Sequence, residues 1–247
     1  MRLNHWILAL ALTLPAAPAL AAETPVAVAA NFTKPAEEIA AAFTAKTGDT
    51  VALSFGATGQ FYTQITQGAP FTVFLAADDK RPAQAVTEGF GVGGTVFTYA
   101  VGKSVLYSPG IDLTDGEAVL KSGNFHHIAI ADPNAAPYGA AAMEVLEKLG
   151  LTDALTPKIV TGENITQTQQ FIDTGNAELG FVALSQVIGK PAAQVWRVPE
   201  ADYIPIRQDA VLLKTGETDP VARAFMEFLK SDDARAIIEK YSYGPGN

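Results

Sequence analysis

Small and polar residues recur at four places where an apolar run gives way to a helical pattern. The four segments are AANFT at 29–33, SFGATGQ at 54–60, DPNAAPYG at 132–139 and TGENIT at 161–166. The first turn of a helix carries N–H groups without intrahelical acceptors and the positive end of a dipole. Together the four segments predict a site for an anion held by neutral donors. Taken singly, each also fits an ordinary helix cap.

Residues for catalysis or metal binding are few. His126 and His127 stand side by side at the entry to a strand pattern, and successive strand side chains point to opposite faces, so they are expected not to share a metal. The segment GFGVGG at 89–94 matches G-x-G-x-x-G. It follows a helical pattern and opens no helix, so a loop is predicted and not a dinucleotide site.

Two carboxylate pairs could suggest acid/base chemistry. Asp78-Asp79 and Asp232-Asp233 both directly precede helical patterns, so we expect them to cap helices. The sequence contains no G-x-S-x-G, H-E-x-x-H or P-loop motif, and no nucleophile stands beside a base. These observations predict that the protein is not an enzyme and binds no cofactor.

Composition excludes several other classes. The 247 residues include 17 Lys and Arg against 26 Asp and Glu, a formal net charge of −9, with 48% hydrophobic residues and no cysteine. The hydrophobic share excludes a disordered polyelectrolyte, and an acidic chain without a basic run is a poor partner for nucleic acid. Without cysteine there are no disulfides, thiolate metal sites or cysteine-linked lipids.

Residues 1–21 have the pattern of a secretory signal peptide. Arg2 gives a positive start, an apolar run follows, and Ala19-Leu20-Ala21 forms a small-x-small cleavage site. Pro15 and Pro18 interrupt the apolar run before it reaches the length of a membrane span. We therefore expect an exported protein that starts near Ala22 and is not inserted in a membrane. With no cysteine at the cleavage site for a lipid anchor, a Gram-negative periplasm is the expected location.

Strand patterns alternate with helical patterns in the remaining chain, which predicts an α/β fold of mixed, mainly parallel sheets flanked by helices. Extended stretches near 95–107 and 201–213 flank a βα block of about one hundred residues. This order fits two lobes joined by paired crossover strands that act as a hinge. Residues 22–101 plus 208–247 would form lobe I, and residues 102–207 an inserted lobe II. A ligand would occupy the cleft, at the carboxyl ends of strands.

The chain from about residue 24 to residue 241 resembles the periplasmic molybdate-binding proteins of ABC importers, a group II solute-binding family. The resemblance is carried by VAVAANFTKPAEEIAAAF, SFGATGQFYTQITQGAPFTVFLAADD, IAIADPNAAPYGAAAMEVLEKLG and ELGFVALSQV, which stand here in the family's order. It implies a two-lobe protein that captures molybdate, and tungstate as a similar anion. It also implies delivery to an inner-membrane permease and its ATPase, by a protein expected to be a monomer.

By this resemblance the oxyanion meets Asn31, Thr58, Tyr138 and the backbone N–H of Ile165, with the backbone of Ala30 as a further candidate. These residues would contact molybdenum only through the oxygens of the anion. The family pattern has Ser in the first two loops and a ligating Tyr at the position of Ala183. The expectation is that the Tyr138 hydroxyl replaces that phenol and points into the cleft.

Other occupants remain open at this point. The altered first and second loops could admit another oxyanion or a small organic anion, and a periplasmic hydrolase is a more distant alternative. Smaller sulfate would leave some donors out of reach. Neutral donors suit a fully ionised dianion, because a protonated phosphate would also need a buried acceptor.

Overall fold

The first of two sheets carries the N-terminal segment. The computed structural model describes residues 23–246, so the predicted signal peptide lies outside the described residues. Six strands form this sheet in the order β11-β4-β10-β3-β1-β2. Their bounds are Glu23–Ala29 (β1), Thr50–Gly56 (β2), Val73–Leu75 (β3), Phe97–Gly102 (β4), Ile206–Leu212 (β10) and Gly244–Pro245 (β11). β1 pairs in parallel with β2 and β3, whereas β10 runs antiparallel to β3 and β4.

The second sheet is built from the middle of the chain. Its order is β7-β6-β8-β5-β9, with Ser104–Tyr107 (β5), Ile128–Ala131 (β6), Ile159–Gly162 (β7), Leu179–Ala183 (β8) and Val195–Arg197 (β9). β6 pairs in parallel with β7 and β8, and β5 pairs antiparallel with β8 and β9. The predicted α/β architecture of two lobes with mixed sheets is confirmed.

Nine α-helices flank the sheets in the described part of the chain. They are Thr33–Thr47 (α1), Thr58–Thr66 (α2), Lys80–Thr87 (α3), Gly116–Ser122 (α4), Pro137–Lys148 (α5), Thr152–Leu155 (α6), Ile165–Asp173 (α7), Pro220–Phe228 (α8) and Asp232–Lys240 (α9). Among residues 23–246, no helix is both long and apolar enough to span a membrane.

The extended stretch predicted at 95–107 is two strands, because the chain leaves the first sheet at Gly102 and enters the second at Ser104. The returning strand β10 begins at Ile206, which lies opposite Gly102 in the β4 ladder. Here two strands of the first sheet lie side by side where the chain passes between the sheets. Each sheet has its own apolar core, one around Phe43 and Phe225 and the other around Leu106 and Phe181.

The carboxylate pairs differ in what they do. At α3 the N-cap is Asp79, whose side chain makes no capping bond, and Asp78 caps the helix instead, because its Oδ1 accepts from the Arg81 N–H at 2.9 Å. At α9 the expectation was wrong, because Ser231 is the N-cap and its hydroxyl accepts from the Ala234 N–H at 3.3 Å. Asp232 and Asp233 instead occupy the first helical turn, where negative charge is favourable.

Candidate functional site

All four predicted segments meet at one small cavity. The lining residues are Ala29, Ala30, Asn31, Gly56, Ala57, Thr58, Ala77, Ala136, Pro137, Tyr138, Asn164 and Ile165. The two sheets therefore both contribute, each with the loops that follow two of its strands. None of the lining residues carries a formal charge.

The first segment places Asn31 in a single 3-10 turn between β1 and α1. The residue is 4% exposed. Its Nδ2 donates to Gln208 Oε1 at 2.9 Å and to the Tyr243 hydroxyl at 3.0 Å, while its carbonyl accepts from Tyr243 at 2.7 Å and Ser185 at 3.2 Å. Its backbone N–H lies at the start of the turn, where it has no acceptor within the turn.

The second segment fixes the Thr58 hydroxyl at the start of α2. Thr58 is 1% exposed, and its Oγ1 accepts from the Ala77 N–H at 3.0 Å. That bond holds the oxygen but uses only a lone pair, so the hydroxyl proton remains available for a ligand in the cavity. Thr58 is also the first residue of the helix, where its backbone N–H has no intrahelical acceptor.

The third segment brings the N-terminus of α5 against the end of β6. Asp132 Oδ1 accepts from the Asn134 N–H at 2.9 Å, which closes the turn. Pro137 occupies the first helical turn, as its fixed φ favours. A Cβ at Gly139 would overlap the carbonyl of Ala131, so only glycine permits this close approach. Tyr138 lies in the first turn of α5 beside the cavity, where its backbone N–H has no intrahelical acceptor.

The expectation for the Tyr138 hydroxyl was wrong. The side chain is 2% exposed, and its hydroxyl accepts from Gln208 Nε2 at 3.3 Å. It lies over Gly102 of β4, where any Cβ would overlap it. The direction of the first turn of α5 sends the side chain toward the strands between the lobes and leaves the backbone N–H for the cavity. Burial also raises the pKa of the Tyr138 phenol well above its usual value.

The fourth segment leaves one backbone donor free by satisfying the others. Asn164 caps α7, and its Oδ1 accepts from the N–H groups of Thr166 at 3.0 Å and Gln167 at 3.1 Å. Ile165, the first residue of α7, lies between Asn164 and Thr166, and its N–H has no intrahelical acceptor. Ala183 is not among the residues that line the cavity.

The donor set around the cavity suits an anion. The backbone N–H groups of Asn31, Thr58, Tyr138 and Ile165 all lie in the first turn of a helix, where they have no intrahelical acceptor, and the Thr58 hydroxyl adds a side-chain donor. The N-terminal ends of α2, α5 and α7 add their dipoles. Because the net charge is −9, recognition must depend on short, desolvated hydrogen bonds and not on long-range attraction.

Residues that the sequence analysis missed close the cleft beside the cavity. Arg81 Nη2 donates to the Asn134 carbonyl at 2.8 Å, and its Nη1 forms an ion pair with Asp78. Gln208, Tyr99 and Tyr243 form a buried polar cluster behind Asn31. The one available signal was the polar run Arg207-Gln208-Asp209 in a strand that continues with Ala-Val-Leu.

The described part of the chain was found to hold no candidate metal centre. Residues 23–246 contain no group of three or more His, Asp or Glu arranged to hold a metal ion. The backbone N–H groups of His126 and His127 donate to the Glu178 carboxylate at 3.0 and 2.8 Å. Neither histidine lines the cavity.

Several known proteins are similar to this chain in sequence. The family of bacterial extracellular solute-binding proteins matches residues 24–244. A molybdate-binding protein ModA of Rhodobacter capsulatus is 58% identical over 228 residues, covering 92% of this chain and 90% of that protein. A molybdate-binding protein ModA of Azotobacter vinelandii is 53% identical over 247 residues, covering 98% of each chain.

A solved structure agrees with the fold. The periplasmic molybdate-binding protein of Azotobacter vinelandii superposes with a TM-score of 0.83 at 40% identity, covering 90% of this chain and 99% of that one. The sulfate-binding protein SubI of Mycobacterium tuberculosis, at 14% identity and a TM-score of 0.72, shares the fold alone.

Proposed function

Because the chain belongs to the bacterial extracellular solute-binding protein family, we propose that it captures molybdate in the periplasm and delivers it to an ABC importer. The observation that carries this proposal is the convergence of four helix-start N–H groups, which have no intrahelical acceptor, and the Thr58 hydroxyl on one uncharged cavity. Relatives named as molybdate-binding proteins at 58% and 53% identity support molybdate as the anion.

The ligands we propose are Thr58, through its hydroxyl and N–H, and the backbone N–H groups of Asn31, Tyr138 and Ile165, with Ala30 beside them. A set made of donors selects a fully ionised dianion, since a protonated oxyanion would need an acceptor as well. Tungstate, with the same charge and shape, is proposed as a second ligand.

The lobes are proposed to be residues 22–101 plus 208–247 and residues 102–207, with the segments around Gly102 and Ile206 as the hinge. Removal of residues 1–21 as a signal peptide, action as a monomer, and an inner-membrane permease with its ATPase as partners complete the proposal. The names of the relatives support transport and not catalysis.

Thermal unfolding with added anions tests the function. Molybdate at a hundredfold excess over its dissociation constant should stabilise the protein by about 2.7 kcal/mol. Sulfate and chloride at matched ionic strength should give a much smaller shift, because a smaller or monovalent anion leaves donors unpaired. No shift with molybdate or tungstate at millimolar concentration would refute the proposal, and a shift with another anion alone would reassign the ligand.

A further inference from the structure

Gln208 lies where both lobes and the hinge meet. It belongs to β10 and is 0% exposed. Its Oε1 accepts from Asn31 Nδ2 at 2.9 Å and from the Tyr99 hydroxyl at 3.1 Å, and its Nε2 donates to the Tyr138 hydroxyl at 3.3 Å. One side chain therefore contacts the first loop of the cavity, strand β4 and helix α5, which follows the third loop.

In this arrangement the Asn31 side chain has no donor left for a ligand. A primary amide has two N–H bonds, and those of Asn31 are directed to Gln208 and Tyr243. Among the described residues Asn31 forms its hydrogen bonds through Nδ2 and its backbone carbonyl and not through Oδ1, and it lines the cavity. A carbonyl oxygen facing an oxyanion would repel it.

Turning the Asn31 amide alone would not solve the problem. Its Oδ1 would then face Gln208 Oε1, two acceptors in contact in a buried place, which is costly. The Asn31 amide can present Nδ2 to the cavity only when Gln208 turns as well and donates from Nε2 to Asn31 Oδ1.

The other neighbours of Gln208 permit that turn. Tyr99 and Tyr138 contact it through hydroxyls, and a hydroxyl both donates and accepts. With Gln208 turned, Tyr138 donates to Oε1, and Tyr99 accepts from Nε2 while it donates to the Ala76 carbonyl, 2.9 Å away. The number of hydrogen bonds around Gln208 is the same in both orientations.

Tyr243 adapts in the same way. Its hydroxyl now donates to the Asn31 carbonyl, and Ser185 Oγ lies within 3.2 Å of that carbonyl. When the amides turn, the Tyr243 hydroxyl can donate to Asn31 Oδ1 instead. The Ser185 hydroxyl then remains as the donor to the Asn31 carbonyl.

We propose that Gln208 is a positioning residue whose amide turns together with that of Asn31, so that Asn31 presents Nδ2 to the bound oxyanion only when Gln208 donates to Asn31 Oδ1. This inference rests on the proposed function. Because the same amide contacts Tyr138 of the other lobe, the turn couples anion binding to the hinge strand.

The variant Gln208→Glu tests the direction of the hydrogen bond. Ionised, the introduced carboxylate only accepts, so Asn31 must keep donating to it and cannot donate to the anion. At about pH 8 molybdate should bind roughly 100-fold more weakly than to the wild type. Protonation near about pH 6, within reach because burial raises a carboxyl pKa, supplies one O–H donor and should recover at least about tenfold.

Two control variants separate this effect from charge and from packing. Gln208→Met is neutral and of similar size but cannot donate, so binding should be about tenfold weaker at both pH values. Asp209→Asn removes the carboxylate of the next residue, which bonds Thr98 and not Asn31. This variant should leave the pH profile of binding flat.

The titratable groups that face position 208 are the phenols of Tyr99, Tyr138 and Tyr243, and burial raises the pKa of each. Asp209 is the next residue of β10, and burial, with the charges of Asp78 and Asp79, raises the pKa of its carboxyl. These groups are the same in the wild type and in the Gln208 variants, so a pH effect of their own should appear equally in the wild type. The pH response of Gln208→Glu is therefore compared with that of the wild type.

Calorimetric titration of molybdate at both pH values gives the result. A flat profile for Gln208→Glu, or wild-type affinity at about pH 8, would overturn the inference. Absence of molybdate binding by the wild type would instead refute the proposed function.

A measurement on the wild-type protein does not depend on how the variants fold. In the ligand-free arrangement the Gln208 amide protons lie near the Tyr138 ring, and after the turn they lie near the Tyr99 ring. Nuclear Overhauser contacts should move from Tyr138 to Tyr99 at saturating molybdate. Contacts that stay with Tyr138 would overturn the inference.

Discussion

Gly59 and Ala135 bond the two lobes directly across the cleft, since the Gly59 N–H donates to the Ala135 carbonyl at 2.8 Å. The first of these residues lies in the initial turn of α2 and the second in the loop before α5. A bond of this kind requires that the lobes be closed. The cavity and its donors are therefore those of a closed molecule.

Gly59→Ala should weaken anion binding by preventing closure. A Cβ there would lie 2.9 Å from Arg81 Nη2 and 3.0 Å from the Ala135 Cα. We expect at least about tenfold weaker molybdate binding without loss of ligand-free stability, because alanine is the better helix residue. Gly110→Ala is the control, since its Cβ would meet nothing within 4 Å. Calorimetry and the radius of gyration with molybdate check this, and a variant that closes normally would contradict it.

Arg81→Gln should accelerate release of the ligand. The guanidinium bonds the Asn134 carbonyl of the other lobe at 2.8 Å, and losing that bond should cost about 1–2 kcal/mol of closure. Arg81→Lys keeps the charge but not the planar fork, so we expect it to release molybdate nearly as fast. Stopped-flow dissociation is the measurement. If only the association rate changed, and with a salt dependence, the residue would act by charge and not by bridging.

Thr58→Ala should weaken molybdate binding by about 1–3 kcal/mol, because the anion loses a buried hydroxyl donor. Stability without ligand should fall less, by about 1 kcal/mol, from the unpaired Ala77 N–H. Thr58→Ser retains the hydroxyl and is expected to restore most of the affinity. Titration calorimetry with denaturant unfolding compares the two losses, and equal losses would mean that Thr58 serves the fold alone.

Tyr138→Phe should lower the unfolding free energy of the ligand-free protein more than a Tyr-to-Phe change at another position. Gln208 Nε2 loses a buried acceptor, so we expect the ligand-free protein to lose about 1–2 kcal/mol of unfolding free energy. The affinity loss should stay below that of Thr58→Ala, because the backbone N–H remains. Tyr107→Phe is a matched control, as its hydroxyl bonds Asp173 in the second lobe. A large affinity loss at unchanged stability would restore the phenol as a direct ligand.

Asp209→Asn should change how stability depends on pH. Burial is the main cause that raises the pKa of Asp209, and the hydrogen bond from Thr98 opposes it. A carboxyl with a raised folded-state pKa favours folding below its unfolded pKa of about 3.9, and this contribution is lost as the pH rises through the folded-state pKa. The variant should therefore gain stability relative to the wild type as the pH rises over that window. The measurement is the melting temperature of both proteins across this pH window. If the Asp209 carboxylate were well solvated, the melting temperatures of the variant and the wild type would not diverge.

The local pattern of the sequence was enough to predict the helices and strands and the four donor segments. Strand-to-helix alternation depends on the period of apolar residues, and a helix start always exposes N–H groups. For this reason the residue pattern and the family resemblance together point to Thr58 and the backbone of Ile165, and both lie at the cavity. The extra pairings that make the sheets mixed depend on strands far apart in the chain, such as β4 and β10.

Side-chain direction and partners across the cleft were decided by the tertiary structure. Nothing in the sequence near Tyr138 says that its hydroxyl lies over Gly102 and meets Gln208, 70 residues away in the chain. The same holds for Asn31, whose amide is held by Gln208 and by Tyr243, 177 and 212 residues away. The physical reason is that a hydrogen bond depends on distance and angle in space, while sequence patterns report only which face of a local element is buried.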